Sequence, residues 1–156
     1  MRFVDLEHEP DLPHWDEGDH VLLGQGLELD LDDGSTWSVT WEQDGTNSGL
    51  GIYPEPLIPN HLVTGRSWAA TRYWSQHGPG EIASIELGWF QAPPHDDAGA
   101  EPPHLCLAEM VLVGTNGVAV IVLDDRFDVL VCWSRAEALR AGNLGDYDKR
   151  YQDLIR

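Results

Sequence analysis

The histidines and carboxylates are the groups of this chain that could bind a metal or move a proton, and their spacing decides whether they do. His8, His14 and His20 recur every six residues among Asp11, Asp16, Glu17 and Asp19. Imidazole and oxygen ligands together suit a divalent ion. A spacing of six, however, matches neither a helical face nor the strand-and-helix pairs of zinc sites, and an ordinary solvated acidic arm accounts for the same residues. His95 and His104 flank a Pro-rich stretch and would converge if it closed as a hairpin. They are the chain's metal candidates, two ligands without a third. Asp30-Leu31-Asp32-Asp33-Gly34 has the composition of a calcium loop, but the sixth position from Asp30 is Ser35 instead of Gly and the twelfth is Trp41 instead of Glu. That stretch reads as a hairpin turn. There is no GxSxG elbow and no CxxC pair. Carboxylate-pair hydrolysis needs an acid buried enough to hold its proton, and most of these acids alternate with apolar residues onto a wet face. No catalytic residue and no cofactor is therefore assigned.

Charge narrows the partners further. The chain carries a formal −18, and 14 of its 27 acidic residues lie in the first 60 positions, where Arg2 is the only basic side chain. Such a field repels nucleic acid and anionic lipid and attracts basic surfaces. No basic stripe lies beside the aromatic residues, so direct nucleic-acid binding is not expected. Glu28, Asp30 and Asp32 alternate along one strand and Asp33 follows them, which makes these four the expected electrostatic contacts with a basic protein.

Seven tryptophans add a second kind of anchor. Trp37, Trp41 and Trp89 fall on apolar strand faces and are expected in the core. Trp68 and Trp74, with Arg72 between them, fall in the Arg66–Gln76 segment. Trp and Arg are enriched at interface hot spots, so Trp68, Arg72 and Trp74 are candidate partner contacts, with core packing the alternative.

The elements that must position these groups follow from periodicity. At 156 residues with 42% hydrophobic content, the chain is one domain able to bury a core without staples. Residues 1–20 read as an acidic arm interrupted by Pro10 and Pro13, after a short strand at Arg2–Glu7. Val21–Leu31 alternates with the period of a half-buried strand. Asp32–Ser35 turns, and Ser35–Glu42 returns with Trp37, Val39 and Trp41 on one face. Leu50–Tyr53, Glu81–Gln91, Leu105–Val113, Val118–Leu123 and Phe127–Trp133 are further strands. The spacing of Arg66–Gln76 predicts a short helix. Ser134-Arg135-Ala136-Glu137 is a capping box opening a helix to about Ala141, and another short helix is expected near Asp146–Ile155. Residues 92–103 form a long Pro-rich connection.

Tight turns and few long crossovers predict a mainly β, α+β fold: a curved antiparallel sheet or sandwich of about seven to eight strands with one or two short C-terminal helices. Cys106 and Cys132 read as free thiols of a reducing cytoplasm, with a disulfide open to them if their strands are neighbours. No signal-peptide pattern and no apolar stretch of membrane-spanning length is present, so a soluble cytoplasmic protein is expected.

The stretches DDGSTWSVTWEQ and GPGEIASIELGWF resemble small uncharacterised bacterial proteins, and in style the acidic immunity proteins that neutralise polymorphic toxins. The resemblance covers about half the chain, and no residue role is carried over from it. It implies a cytoplasmic protein that plugs the substrate cleft of a basic toxin domain such as a nuclease or deaminase. The alternative is a small-molecule or metal-dependent enzyme or binding module, with a pocket lined by Trp68, Trp74, His95 and His104.

Overall fold

Three long apolar runs near the C-terminus have no wet face, and burying both sides of them sets the architecture. The computed structural model describes residues 1–5, 20–44, 47–61, 66–91, 105–124 and 128–141. Its strands are β1 (Arg2–Asp5), β2 (His20–Leu23), β3 (Gly26–Asp30), β4 (Thr36–Asp44), β5 (Asn47–Tyr53), β6 (Arg66–Ala69), β7 (Ile82–Gln91), β8 (Leu105–Gly114), β9 (Gly117–Leu123) and β10 (Val129–Cys132). Three short helices join them: α1 (Leu57–Asn60), α2 (Thr71–His77) and α3 (Arg135–Ala141).

The strands form two five-stranded sheets, ordered β5-β4-β3-β1-β6 and β2-β10-β9-β8-β7, and each strand pairing is antiparallel. The expected β-rich sandwich is therefore present. One face of β8, β9 and β10 meets the other sheet, where Met110, Leu112, Ile121, Leu123, Val129 and Val131 pack with Leu27, Val39 and Leu50. Their other face carries Val111, Val120, Val122, Leu130 and Cys132, which α3 covers through Ala138. Each such Leu, Ile or Val taken fully out of water contributes about 1.5–3 kcal/mol.

Two departures from the sequence reading shape the molecule. The Val21–Leu31 run is not one strand. It bends at Gly24 and Gln25, sending β2 into the second sheet and β3 into the first. Gly26 takes φ +147°, and a Cβ there would overlap the Val39 carbonyl oxygen and lie 3.2 Å from a Leu57 methyl carbon. The second departure concerns Arg66–Gln76, expected as a helix. Its first four residues form β6, which pairs with β1 in the register Arg2↔Ala69 to Asp5↔Arg66, and α2 begins only at Thr71. Long-range pairing with the N-terminal strand overrides the local helical spacing there.

The capping box is half formed. Ser134 Oγ accepts the Glu137 amide at 3.1 Å, but the Glu137 carboxylate turns to Arg140 instead of reaching back to the cap. Neither Cys106 nor Cys132 is disulfide-bonded, and they lie on strands separated by β9. Burial, and then the nearby Glu137 charge, push the Cys132 thiol up to about 12. Among the described residues no helix is long and apolar enough to cross a membrane. The 92–103 connection and the helix expected at 146–155 lie outside the described residues.

Gly26→Ala should cost about 3 kcal/mol or more, because a side chain would overlap backbone that cannot yield. Gly34→Ala should cost only about 1–2 kcal/mol, because Gly34 has φ +84° but open space around it. Urea denaturation of the two variants checks the contrast; equal costs would contradict the crossover geometry.

Candidate functional site

The acidic hairpin and its surroundings divide into a buried part and a presented part. Glu28 was expected on a wet face, but it is only 3% exposed. One carboxylate oxygen accepts the Leu57 amide at 2.8 Å and the other meets the Arg2 guanidinium at 2.9 Å. The cause is α1, whose Leu57 covers the outer side of the first sheet and takes that face out of water. Glu28 thus ties the strand to the segment above it and is not available to a partner. Arg2 also reaches Asp30 at 2.9 Å, so the one cation of the acidic N-terminal portion stands in the middle of the acidic strand face.

Beyond Asp30 the hairpin is open to solvent. Asp33 accepts the Ser35 amide at 2.8 Å and the Ser35 hydroxyl at 2.6 Å. These bonds shape the turn, and they hold the Asp33 carboxyl below its ordinary value of 3.8. Asp32 is exposed beside it. Two apolar side chains accompany these acids. Leu29 pairs with Trp37 across the hairpin, so Leu31, two residues on, lies diagonal to Trp37 on the same face. Leu31 is 43% and Trp37 40% exposed. Trp37 and Trp41 were expected in the core with Val39. All three share a face, but only Val39 is fully covered; the facing sheet spans the middle of β4 and leaves both indoles partly in water.

Trp37 also forms one wall of an open cleft of about 590 Å³ where β4 and β5 meet β7 and β8. Ile52, Leu87, Trp89 and Leu105 supply apolar surface, while Glu42 and Gln43 supply the polar side chains. The sheets come close beside it. A Cβ on Gly49 would lie 3.0 Å from the Leu107 carbonyl oxygen, so a bare backbone at position 49 is what permits the approach. Glu42 and Cys106 are the only titratable residues among the described residues of the lining. Tyr53, which is hydrogen-bonded to Glu42, has its hydroxyl pushed up by burial first and by the Glu42 charge second.

The remaining candidates are not gathered here. Trp74 was a candidate contact, but its half-buried indole packs on the main core, against the close backbone of Gly78. Trp68 lies on β6 and Arg72 on α2, and their side chains are outside the described part of the structure. His95 and His104 lie outside the described residues, as do His8 and His14. Among the described residues no group of three His, Cys, Asp or Glu side chains could hold a metal ion. The expected Trp68–Trp74–histidine pocket falls largely outside the described residues; the cleft among the described residues has Trp37 and Trp89 as its indoles. The sequence signal that could have located it is the cross-strand register, which places Trp37 at the mouth of the hairpin. Compared with known proteins, the chain matches no family model, no curated protein and no solved structure.

Two outcomes test this division of the acidic residues. Glu28→Ala should destabilise the fold by about 3 kcal/mol, since it removes a buried ion-pair partner and orphans the Leu57 amide; a denaturation midpoint unchanged from the parent would refute a structural role. Asp33 should titrate below 3.8 by carboxyl NMR, and Ser35→Ala should raise that value. Because the folded value is depressed, the contribution of this turn to stability is present above the ordinary aspartate range and is lost as pH falls through the folded value.

Proposed function

We propose that this protein is an acidic binding module of the immunity type, which docks on a basic protein such as a toxin nuclease or deaminase and blocks its substrate cleft. The observation that carries this reading is the tip of the β3–β4 hairpin. There the exposed Leu31 and Trp37 share one rigid element with the exposed Asp32 and Asp33, beyond the Asp30 that Arg2 pairs. An indole and an aliphatic side chain supply area for a hot spot. The carboxylates around them supply the complementary field that steers a basic partner into place.

The charge of the whole chain supports the same reading. A net −18 disfavours self-association and polyanionic ligands alike. The Asp33 carboxyl, held ionised by Ser35, keeps its charge well into mild acid. Asp32 and Asp33 also lie in a turn that the β3–β4 pairing fixes, so their spacing survives contact with a partner.

The test is kinetic. A basic protein that this chain captures from its host should associate with it at a rate that falls at least tenfold between about 50 and 300 mM salt. Asp32→Lys with Asp33→Lys should slow association by a similar factor while changing dissociation little. Trp37→Ala should act mainly on dissociation, raising it by about tenfold or more. Association indifferent to both salt and charge reversal would end the proposal.

A further inference from the structure

The second sheet ends on β7, whose one hydrogen-bonded neighbour in the sheet is β8. The register of that pair slips twice, between Ile82 and Ser84 and between Gly88 and Trp89. Ser84–Gly88, between the two irregularities, is therefore a regular edge of five residues. Alternate residues of such an edge aim their amides and carbonyls away from the sheet. Among the described residues no backbone group meets Ser84–Gly88 from that side. Solvent reaches the edge as well, since each residue from Glu81 to Glu86 is exposed and Ile85 is 52% exposed. Ile85 stands in register with Leu112, a core residue that faces the first sheet. Its side chain thus lies on the inner side of the second sheet, beyond the cover that buries Leu112. Glu86 stands in register with Val111 on the opposite face, where its half-exposed carboxylate meets Arg135. Arg135 is divided between Glu86 and the buried Glu109, so one cation serves two carboxylates.

We propose that the Ser84–Gly88 edge receives an extended strand of another protein, with apolar side chains opposite Ile85 and Leu87 and a lysine or arginine opposite Glu86. The inference goes beyond the docking reading and uses none of the hairpin-tip residues. Strand addition draws its affinity from main-chain hydrogen bonds and its selection from alternate side chains. A second copy of this chain fits poorly. Antiparallel pairing of two such edges over the full stretch sets Ser84 against Gly88 and Glu86 against Glu86. Like charges directly opposed destabilise a strand pair. Two chains of −18 also repel at longer range. The same charges favour a basic strand, which brings a cation to Glu86 where a second copy brings a carboxylate.

The probe is the capped pentapeptide Thr-Val-Lys-Val-Thr, titrated into the whole chain, beside a counterpart with glutamate at the centre. Two further versions carry N-methyl groups on alternate residues, one on the valines and one on the remaining three. In antiparallel register the valines fall opposite Ile85 and Leu87, and the lysine opposite Glu86. Amide hydrogen exchange, resolved by NMR, reads the edge. At saturation the lysine peptide should slow exchange at alternate amides within Ser84–Gly88 by about tenfold or more. The glutamate peptide should bind about threefold more weakly, and Glu86→Gln should bring that ratio towards one. Methylation should abolish binding in the version whose blocked amides face β7. Ile85→Lys, at an exposed position, should abolish the protection and leave the denaturation midpoint unchanged. Unaltered exchange at Ser84–Gly88, equal affinity for the lysine and glutamate peptides, or binding that survives both methylation patterns would each overturn the assignment. Protection that rises with protein concentration in the absence of peptide would overturn it in favour of a second copy. Asp32→Lys with Asp33→Lys, which removes the docking face of the proposed function, should leave the peptide's protection of the edge in place, so the two readings fail separately.

Discussion

The crossing at Gly26 is the constraint on which the rest of the arrangement depends. The backbone there passes so close to Val39 that no side chain fits, and its φ of +147° is open to glycine. The tight passage lets one continuous apolar run serve two sheets. Residues before it line up on β10, and residues after it pair with β1 and β4. The β3–β4 hairpin leaves the sandwich from that point with a fixed register. Its tip is consequently a rigid extension of the core, and the side chains it presents are held by the same ladder that buries Leu27 and Val39.

Much of this architecture was legible in the sequence. Period-two alternation gave the hairpin, the long apolar runs gave β8 to β10, and Ser134 with Glu137 marked the start of α3. The failures have identifiable causes. Alternation specifies which side chains share a face but not where the opposite sheet ends, so Trp37 and Trp41 looked as buried as Val39. It also cannot see a covering segment. Glu28 has the pattern of a solvated residue, and only the return of Leu57 over the outer face makes it a buried acceptor. Arg66–Ala69 was misread because its partner, β1, lies more than sixty residues away in sequence, beyond the reach of any local spacing argument. The cleft leaves no mark in the sequence because Trp37, Ile52 and Trp89 come from three strands of two sheets, and no short pattern connects them.

A single arrangement reconciles the acidity with a stable core. Three glutamates are buried among the described residues, Glu28, Glu109 and Glu137. Each meets an arginine: Arg2, Arg135 and Arg140 respectively. These are also the only arginines whose side chains are described. An uncompensated buried carboxylate costs several kcal/mol, so the pairing is required for the fold. It has an electrostatic consequence at the surface as well. Two of these cations also reach exposed acids, Arg2 meeting Asp30 and Arg135 meeting Glu86, so each bridges a buried and an exposed carboxylate.

That division of labour bears on how a partner would be recognised. Arg2 lies between Glu28 and Asp30, so it locks the base of the hairpin electrostatically while the tip beyond Asp30 keeps its charge. Charge and apolar area are thus graded along one strand pair, from a neutralised anchor to an exposed carboxylate turn beside Trp37. The indole continues that surface into the cleft, where the charged member of the described lining is again a carboxylate, Glu42. A basic protein approaching the tip would meet attraction first and apolar contact second. Long-range steering and short-range burial would then draw on different residues of the same rigid element, which allows the on-rate and the residence time to be set separately.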